Sequence, residues 1–333
     1  MQLNSCFRLV KVVTYAMVCA SLATTQAGAA NVADKYPDHP VRVIVPFPPG
    51  GGNDLLARAM STRLTESLGQ QFIVDNRGGA GGLIGGQLAA TADPDGYTLF
   101  LGSMGSLAHN PALRPNLPYK PARDFAGVTL LVTSPFILVV HPGVAATNVR
   151  ELLALARAKP GTLNFGSAGV ASSLHLTGEL FKYTTKINIV HVAYKGTAPA
   201  LTDLIAGQVQ MVFSTIAPAL PLVKGGKLRA LGVTTAQRTK GAPDIPTIAE
   251  AGVAGFAVEN WQGIVAPAKT PRAIVDKLNR ELVKIIAQPA IVEMFTHQGL
   301  DAVGNTPAQF DKLIRAEIDK WTALVKAAGI HVD

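Results

Sequence analysis

Four glycine-rich stretches hold most of the polar chemistry that the sequence offers: residues 46–53, 78–82, 102–106 and 166–172. Each follows a strand-like run and precedes a helix-like pattern. A strand-to-helix turn of this composition points backbone N–H groups above the sheet, and the helix start adds partial positive charge there. Glycine permits close approach and positive φ, while Asn53, Ser103, Ser106, Ser167 and Ser172 add side-chain donors. Such loops suit carboxylates or phosphates, and ligands of open α/β sheets sit at the carboxyl ends of strands. A tight turn explains any one loop taken alone; four in one chain favour a site. Gly102-Ser103-Met104-Gly105 and Gly166-Ser167-Ala168-Gly169 repeat one local pattern, strand then G-S-x-G then a helical segment.

Catalytic signatures are absent. Gly226-Lys227 is followed by Leu228, so there is no phosphate-binding GxxxxGK[ST] loop. No GxGxxG fits around Gly50 or Gly79, and the adjacent Gly-Ser pairs rule out a GxSxG elbow. The seven histidines, at 39, 109, 141, 175, 191, 297 and 331, include no i, i+4 pair of metal spacing. No cofactor and no metal are expected. His175 follows the fourth loop closely and reads as a structural histidine or as a pocket contact. The catalytic alternative is a serine-dependent hydrolase using Ser103 or Ser167 with His109 or His175. It requires a Ser–His hydrogen bond oriented by a carboxylate. Tyr194-Lys195-Gly196-Thr197 follows another strand pattern. Lys195 could balance an anion, although a solvated lysine is the commoner fate. Asp203, on the next helix, reads as a surface or capping residue.

The elements that must position these loops alternate strand and helix. A strand is predicted over 41–45 and a helix over 54–68, stopped by Gly69. A short strand over 72–74 and a small-residue helix ending near residue 92 follow. Asp93-Pro94-Asp95-Gly96 is a turn before a strand over 97–101. Residues 125–140 hold two apolar runs broken at Ser134-Pro135, long enough to leave one domain and enter another. Asn148 and Glu151 form a capping-box pair for a helix over 148–159. Strands are predicted over 163–165, 189–192 and 209–213, with 228–233 able to carry the chain back and a late strand over 261–265. Two helices, opened by Thr270-Pro271 and Thr306-Pro307, close the chain. This order predicts mainly parallel sheets with helices on both faces.

Composition narrows the class. Hydrophobic residues make up 48% and charged residues 16% of 333, which excludes a disordered chain. Arg8 and Lys11 are the only charges before Asp34; an apolar run and Ala27-Gly28-Ala29 follow them. Residues 1–29 therefore read as a secretory signal peptide. Its removal takes both cysteines, Cys6 and Cys19, and two of the eight net positive charges. The remaining basic residues are dispersed and not interleaved with aromatics, which argues against nucleic acid as a partner. The mature protein is expected to be soluble and exported.

Several motifs together resemble one family. They are Val45-Pro46-Phe47-Pro48-Pro49-Gly50-Gly51-Gly52-Asn53-Asp54, Asn76-Arg77-Gly78-Gly79-Ala80-Gly81-Gly82, Asp93-Pro94-Asp95-Gly96-Tyr97, Ala193-Tyr194-Lys195-Gly196 and Pro246-Thr247-Ile248-Ala249-Glu250-Ala251-Gly252. The chain resembles the substrate-binding proteins of tripartite tricarboxylate transporters, the Bug receptors, over residues 35–330. The resemblance implies a periplasmic-binding-protein-like α/β fold, with two lobes, a two-strand hinge and a ligand cleft between them. Residues 32–130 and 232–333 would form lobe 1, and residues 131–231 lobe 2. The ligand would be a small organic carboxylate, delivered to the membrane subunits of the transporter. Phe47, Gly51, Gly52, Asn53 and Asp54 match the gripping loop, with Asp54 also a plain helix cap. Ser103, Ser106, Gly166, Ser167, Ala168 and Ser172 match the facing positions, with Tyr194, Lys195 and Ser214 beside them. Many members carry an acid after the strand matching 209–213, where it can pair with an amino group. Ser214-Thr215 stand here instead, which favours an aromatic or dicarboxylic acid over an amino acid. A receptor that reports its ligand to a membrane sensor kinase is a further alternative.

Overall fold

The computed structural model describes residues 34–47 and 49–330, with Ala80 as backbone alone. The expected signal peptide lies outside these residues. No helix among them is long and apolar enough to cross a membrane.

The first lobe opens with β1 (Val41–Val45), whose alternation sends Val41, Val43 and Val45 to one core cluster and Ile44 to another. Helix α1 (Gly52–Leu68) follows and ends on Gly69 at φ 73°, the left-handed C-cap for which glycine is suited. Then come β2 (Phe72–Asn76), α2 (Leu83–Ala90) and β3 (Thr98–Ser103). A π-helical segment, Gly105–His109, and the one-turn helices Asn110–Leu113 and Pro121–Asp124 lead to β4 (Phe125–Val140).

Strand β4 is unbroken, although the sequence suggests a break at Ser134-Pro135. The change there is one of partner. Residues 125–135 pair with β9 (Glu259–Pro267), and residues 136–140 pair with β7 (Met211–Thr215). Between these contacts the chain builds a second lobe. Its elements are α3 (Val149–Ala158), β5 (Asn164–Ser167), α4 (Ser173–Thr185), β6 (Val190–Ala193), α5 (Thr197–Ile205), β7, α6 (Ile216–Lys224) and β8 (Arg229–Val233). Asn148 caps α3 by accepting the Glu151 amide at 3.0 Å. Glu151 returns to Thr147, not to the Asn148 amide, so the capping box is displaced by one residue.

The outer strands are parallel in each lobe, β2-β1-β3 in one and β6-β5-β7 in the other. The centre departs from the predicted parallel order: β4 is antiparallel to β7, β8 and β9. The reason is geometric, because β4 carries the chain out of the first lobe and β9 brings it back. After β9 come α7 (Arg272–Ile286), α8 (Pro289–His297), the two-residue β10 (Asp301–Ala302) and α9 (Pro307–Ala328). Three helices therefore close the chain, not two. Thr306 and Gln309 cap α9 reciprocally. The largest core cluster runs through both lobes, from Phe100 to Phe213. Separate clusters line the opposite faces of the first lobe, around Leu278, and of the second, around Val212.

Candidate functional site

Three parallel strands of the second lobe end together, and each turns into a helix. β5 leads to α4, β6 to α5 and β7 to α6. Ser172 caps α4 by accepting the His175 amide at 3.2 Å. Gly196 and Thr215, before α5 and α6, offer no side-chain cap, and neither does Gly51 before α1. The first-turn N–H groups of these helices have no intrahelical acceptor and need another partner. The loop before α4 is held open by unusual backbone: Ala171 sits at φ 64° and donates its amide to His175 Nδ1 at 3.1 Å.

A cavity of about 540 Å³ lies between the lobes at these helix starts. Phe47, Gly105, His109, Asn110 and Arg114 face it from the first lobe. Ala168, Ser172, Ser173, Thr197 and Thr215 face it from the second. Arg114 is half-buried and is the one lysine or arginine on this wall. Its guanidinium makes no hydrogen bond or ion pair among the described residues, whereas Arg58 is tied to Asp54 at 2.9 Å.

His109 is fully enclosed beside the cavity. Its Nδ1 lies 3.3 Å from the Ser173 hydroxyl, a hydrogen bond from one lobe to the other. Trp321 meets the ring edge-on at 4.4 Å. Burial, and secondarily Lys320, hold this imidazole down at about 3, so it is neutral near pH 7.

The residues singled out in the sequence fall into three groups. Phe47, Ala168 and Ser172 reach the cavity wall. Gly52 and Asn53 face an adjoining cavity of about 590 Å³, which shares Thr215 and Asn260 with the first. The others shape the loops. Ser103 and Ser106 are buried and bonded to each other, with the Ser103 amide donating to Ser106 Oγ at 3.0 Å. Gly166 packs under Val212 and Tyr194, where an added Cβ would meet atoms at 3.1–3.2 Å. Ser214 is buried and donates to the Thr215 carbonyl at 2.8 Å. Asp54 is buried, accepting from the Gly50 amide and from Asn76 at 3.0 Å each and from Arg58 at 2.9 Å. These contacts, led by Arg58, lower its carboxyl to about 2. It does not cap α1 by its side chain; it ties the loop of Phe47 to β2. Tyr194 donates to Asp203 at 2.9 Å, Lys195 is exposed, and neither they nor Gly51 face either cavity.

The hydrolase geometry is not assembled as the sequence suggested. Ser103 bonds Ser106, and His175 accepts from Ala171. Ser167 does meet a histidine, but it is His191, at 2.7 Å. That serine is fully buried and also donates to the Gly169 carbonyl at 3.1 Å. His191 stacks on His175 at 3.9 Å, and no carboxylate bonds it among the described residues. Arg114, Thr215 and Asn260 escaped the sequence reading. Thr215 directly follows Ser214, and Thr197 ends the Tyr194-Lys195-Gly196-Thr197 motif; Arg114 and Asn260 carry no local signal.

Two α/β lobes, joined by antiparallel strands around a polar cleft, define the class of two-lobed solute-binding proteins. Comparison with known proteins makes this specific. Residues 56–330 match the family described as tripartite tricarboxylate transporter family receptor. Protein BugT of Bordetella pertussis is 37% identical over 315 residues, 94% of this chain and 97% of that protein. The solved structure of R. palustris Rpa4515 with adipate is 36% identical, with TM-score 0.77 over 89% of this chain and 99% of that one. MatC of Rhodopseudomonas palustris with bound malate is 33% identical, with TM-score 0.73 over 87% and 100%. The chain belongs to the receptor family of tripartite tricarboxylate transporters.

Proposed function

We propose that this receptor captures a small organic carboxylate between its lobes, in the periplasm, and presents it to the membrane subunits of its transporter. The observation that carries the ligand class is the unpaired Arg114 guanidinium on the wall of the cavity that the helix starts face. A half-buried cation without a partner favours an anion, and uncapped N–H groups supply further donors. Phe47, Ala168, Ser172, Thr197 and Thr215 complete the contact surface, while Asp54, Ser103, Ser106 and Ser167 hold the loops in shape. The relatives solved with adipate and malate support a carboxylate ligand. The leader reading of residues 1–29 and the family membership support export. The lobes divide where β4 changes partners and where β8 gives way to β9, which makes these strands the hinge. The protein acts by binding and not by turnover: among the described residues neither Ser–His contact, Ser167 with His191 or Ser173 with His109, has a carboxylate bonded to its histidine. Nothing about the described residues speaks for a sensor kinase as partner.

Titration calorimetry with a panel of mono-, di- and tricarboxylates tests this reading. Adipate and malate are the first probes. At least one carboxylate should bind, and Arg114→Gln should weaken it about tenfold or more, since a hydrogen bond to a charged group contributes about 1.5–3 kcal/mol. Binding confined to neutral compounds would overturn it.

A further inference from the structure

The second-lobe wall of the Arg114 cavity is one short stretch of chain: Ala168, Val170, Ala171, Ser172 and Ser173 all face it. A single residue with unusual backbone fixes the course of that stretch. Ala171 sits at φ 64°, in the left-handed region that a Cβ disfavours. Its amide donates to His175 Nδ1 at 3.1 Å, while Ser172 Oγ accepts the His175 amide at 3.2 Å. Loop and helix start are therefore tied in both directions. A ring nitrogen accepts only when it carries no proton, so the neutral His175 ring keeps its proton on Nε2. Nε2 lies 3.9 Å from Glu179 Oε1, one turn along α4, which suits an N–H. His191 of β6 stacks on this ring at 3.9 Å and meets Ser167 at 2.7 Å. Ser167 gives its own proton to the Gly169 carbonyl, so His191 Nε2 donates to it. A further proton on His191 would leave that bond intact. On His175 it would set one N–H against another and cut the tie to Ala171.

We infer that His175 is a positioning residue for ligand binding: its bare Nδ1 holds Ala171, and with it the cavity wall, and a proton there releases the loop. The inference rests on the carboxylate reading of this cavity and adds a dependence on pH to it. The titratable groups around the ring are His191 on β6 and Glu179 and Lys182 on α4 itself. Burial pushes the imidazole below its ordinary value; Glu179 opposes this and Lys182 reinforces it. The loop in its ligand-ready form thus refuses a proton that the released loop takes up. Affinity is complete above about pH 6.5, the ordinary histidine value, and falls as pH drops below it.

Two measurements decide this. The first is calorimetry with adipate, malate and citrate on the wild type, His175→Asn and His175→Leu, with folding checked by melting. Asn sets its Oδ1 near the place of Nδ1 and does not titrate; Leu fills the space without an acceptor. Near neutral pH, Asn should bind within about threefold of the wild type and Leu about tenfold more weakly. From about pH 7.5 to about 5 the wild-type Kd should rise about threefold or more beyond the rise in Asn, which shares the ionisation of the ligand. The second is nitrogen NMR of the imidazoles in the wild type, which needs no variant. His175 Nδ1 should be bare at neutral pH, and the Kd should rise with the midpoint at which that nitrogen takes its proton. Asn and Leu weakened alike, equal pH slopes in wild type and Asn, or a proton on Nδ1 at neutral pH would each overturn the inference and leave the carboxylate site standing. If none of the acids binds any of the proteins, the proposed function falls and the inference with it.

Discussion

Acid should destabilise this protein through His109, and the size of the effect follows from its burial. In an unfolded chain the imidazole titrates near 6.5; in the folded protein burial, aided by Lys320, holds it at about 3. The unfolded state therefore takes up a proton that the folded state refuses. The stabilisation from a neutral His109 is complete above about pH 6.5 and is lost as pH falls toward 3. Each unit in that window removes about 1.4 kcal/mol, so lowering pH from about 7.5 to about 5 costs about 2 kcal/mol from this residue. At about 2–4 °C per kcal/mol, Tm drops by roughly 4–8 °C. His191 is held at about 4 by burial, His175 and Lys182, and it acts in the same direction. The informative quantity is therefore the difference between wild type and His109→Asn, which keeps a polar group near Ser173 but does not titrate. Melting curves at three pH values give both slopes. The variant starts less stable, having lost ring volume, but its slope should be shallower by about 2 kcal/mol over that range. Equal slopes would refute the argument, because His109 would then be open to protonation in the folded state. Because the folded state refuses the proton in this range, carboxylate affinity between about pH 7.5 and 5 should depend on pH no more steeply in the wild type than in the variant.

Asp54→Ala should lower stability by about 1–3 kcal/mol in urea denaturation, since Gly50, Arg58 and Asn76 lose their common acceptor. It should also raise the Kd for any bound carboxylate, because Asn76 also holds the Phe47 carbonyl at 3.1 Å. Gly263→Ala should cost about 3 kcal/mol or more or abolish soluble expression. Its Cβ would stand 2.4 Å from Phe310 Cζ and 2.6 Å from the Thr129 carbonyl oxygen, which is backbone and cannot yield. Ser167→Ala removes the 2.7 Å partner of His191 and should cost about 1 kcal/mol in a melting experiment. Neither this variant nor the wild type should turn over a chromogenic ester.

The architecture was legible where local chemistry and tertiary need agree. The apolar length of residues 125–140 and the Ser134-Pro135 interruption gave a chain crossing between domains. The structure uses the interruption as the point where one continuous strand exchanges β9 for β7. A Thr-Pro pair announces both α7 and α9, with Pro271 at the N-cap of the first and Pro307 in the first turn of the second. Pro289 gives a weaker signal, because Gln288 before it is a poor cap and only Ala287 and Gln288 separate α8 from α7. The antiparallel centre was not legible. Strand direction at a hinge depends on which lobe the chain is leaving, and that is a property of the whole path.

The site divides in the same way. Glycine and serine mark where backbone turns above a sheet, and the turns were found. Serine at such a turn is often consumed by it, as Ser103, Ser106, Ser167 and Ser214 are, because its short side chain reaches the nearest backbone groups first. The neighbours then face the cavity: Gly105 and not Ser106, Ala168 and not Ser167, Thr215 and not Ser214. In β7 the offset is one residue, and successive strand side chains point to opposite faces, so a register error of one exchanges a buried hydroxyl for a half-buried one on the cavity wall. Arg114 shows the other limit. In sequence it is one of 30 basic residues; what distinguishes it is a place on the cavity wall without an ion pair among the described residues, while Asp54, Asp75, Asp124 and Glu250 hold Arg58, Arg77, Arg123 and Arg238. The role proposed for Arg114 rests on the partner it lacks, and a missing partner is a fact of three dimensions.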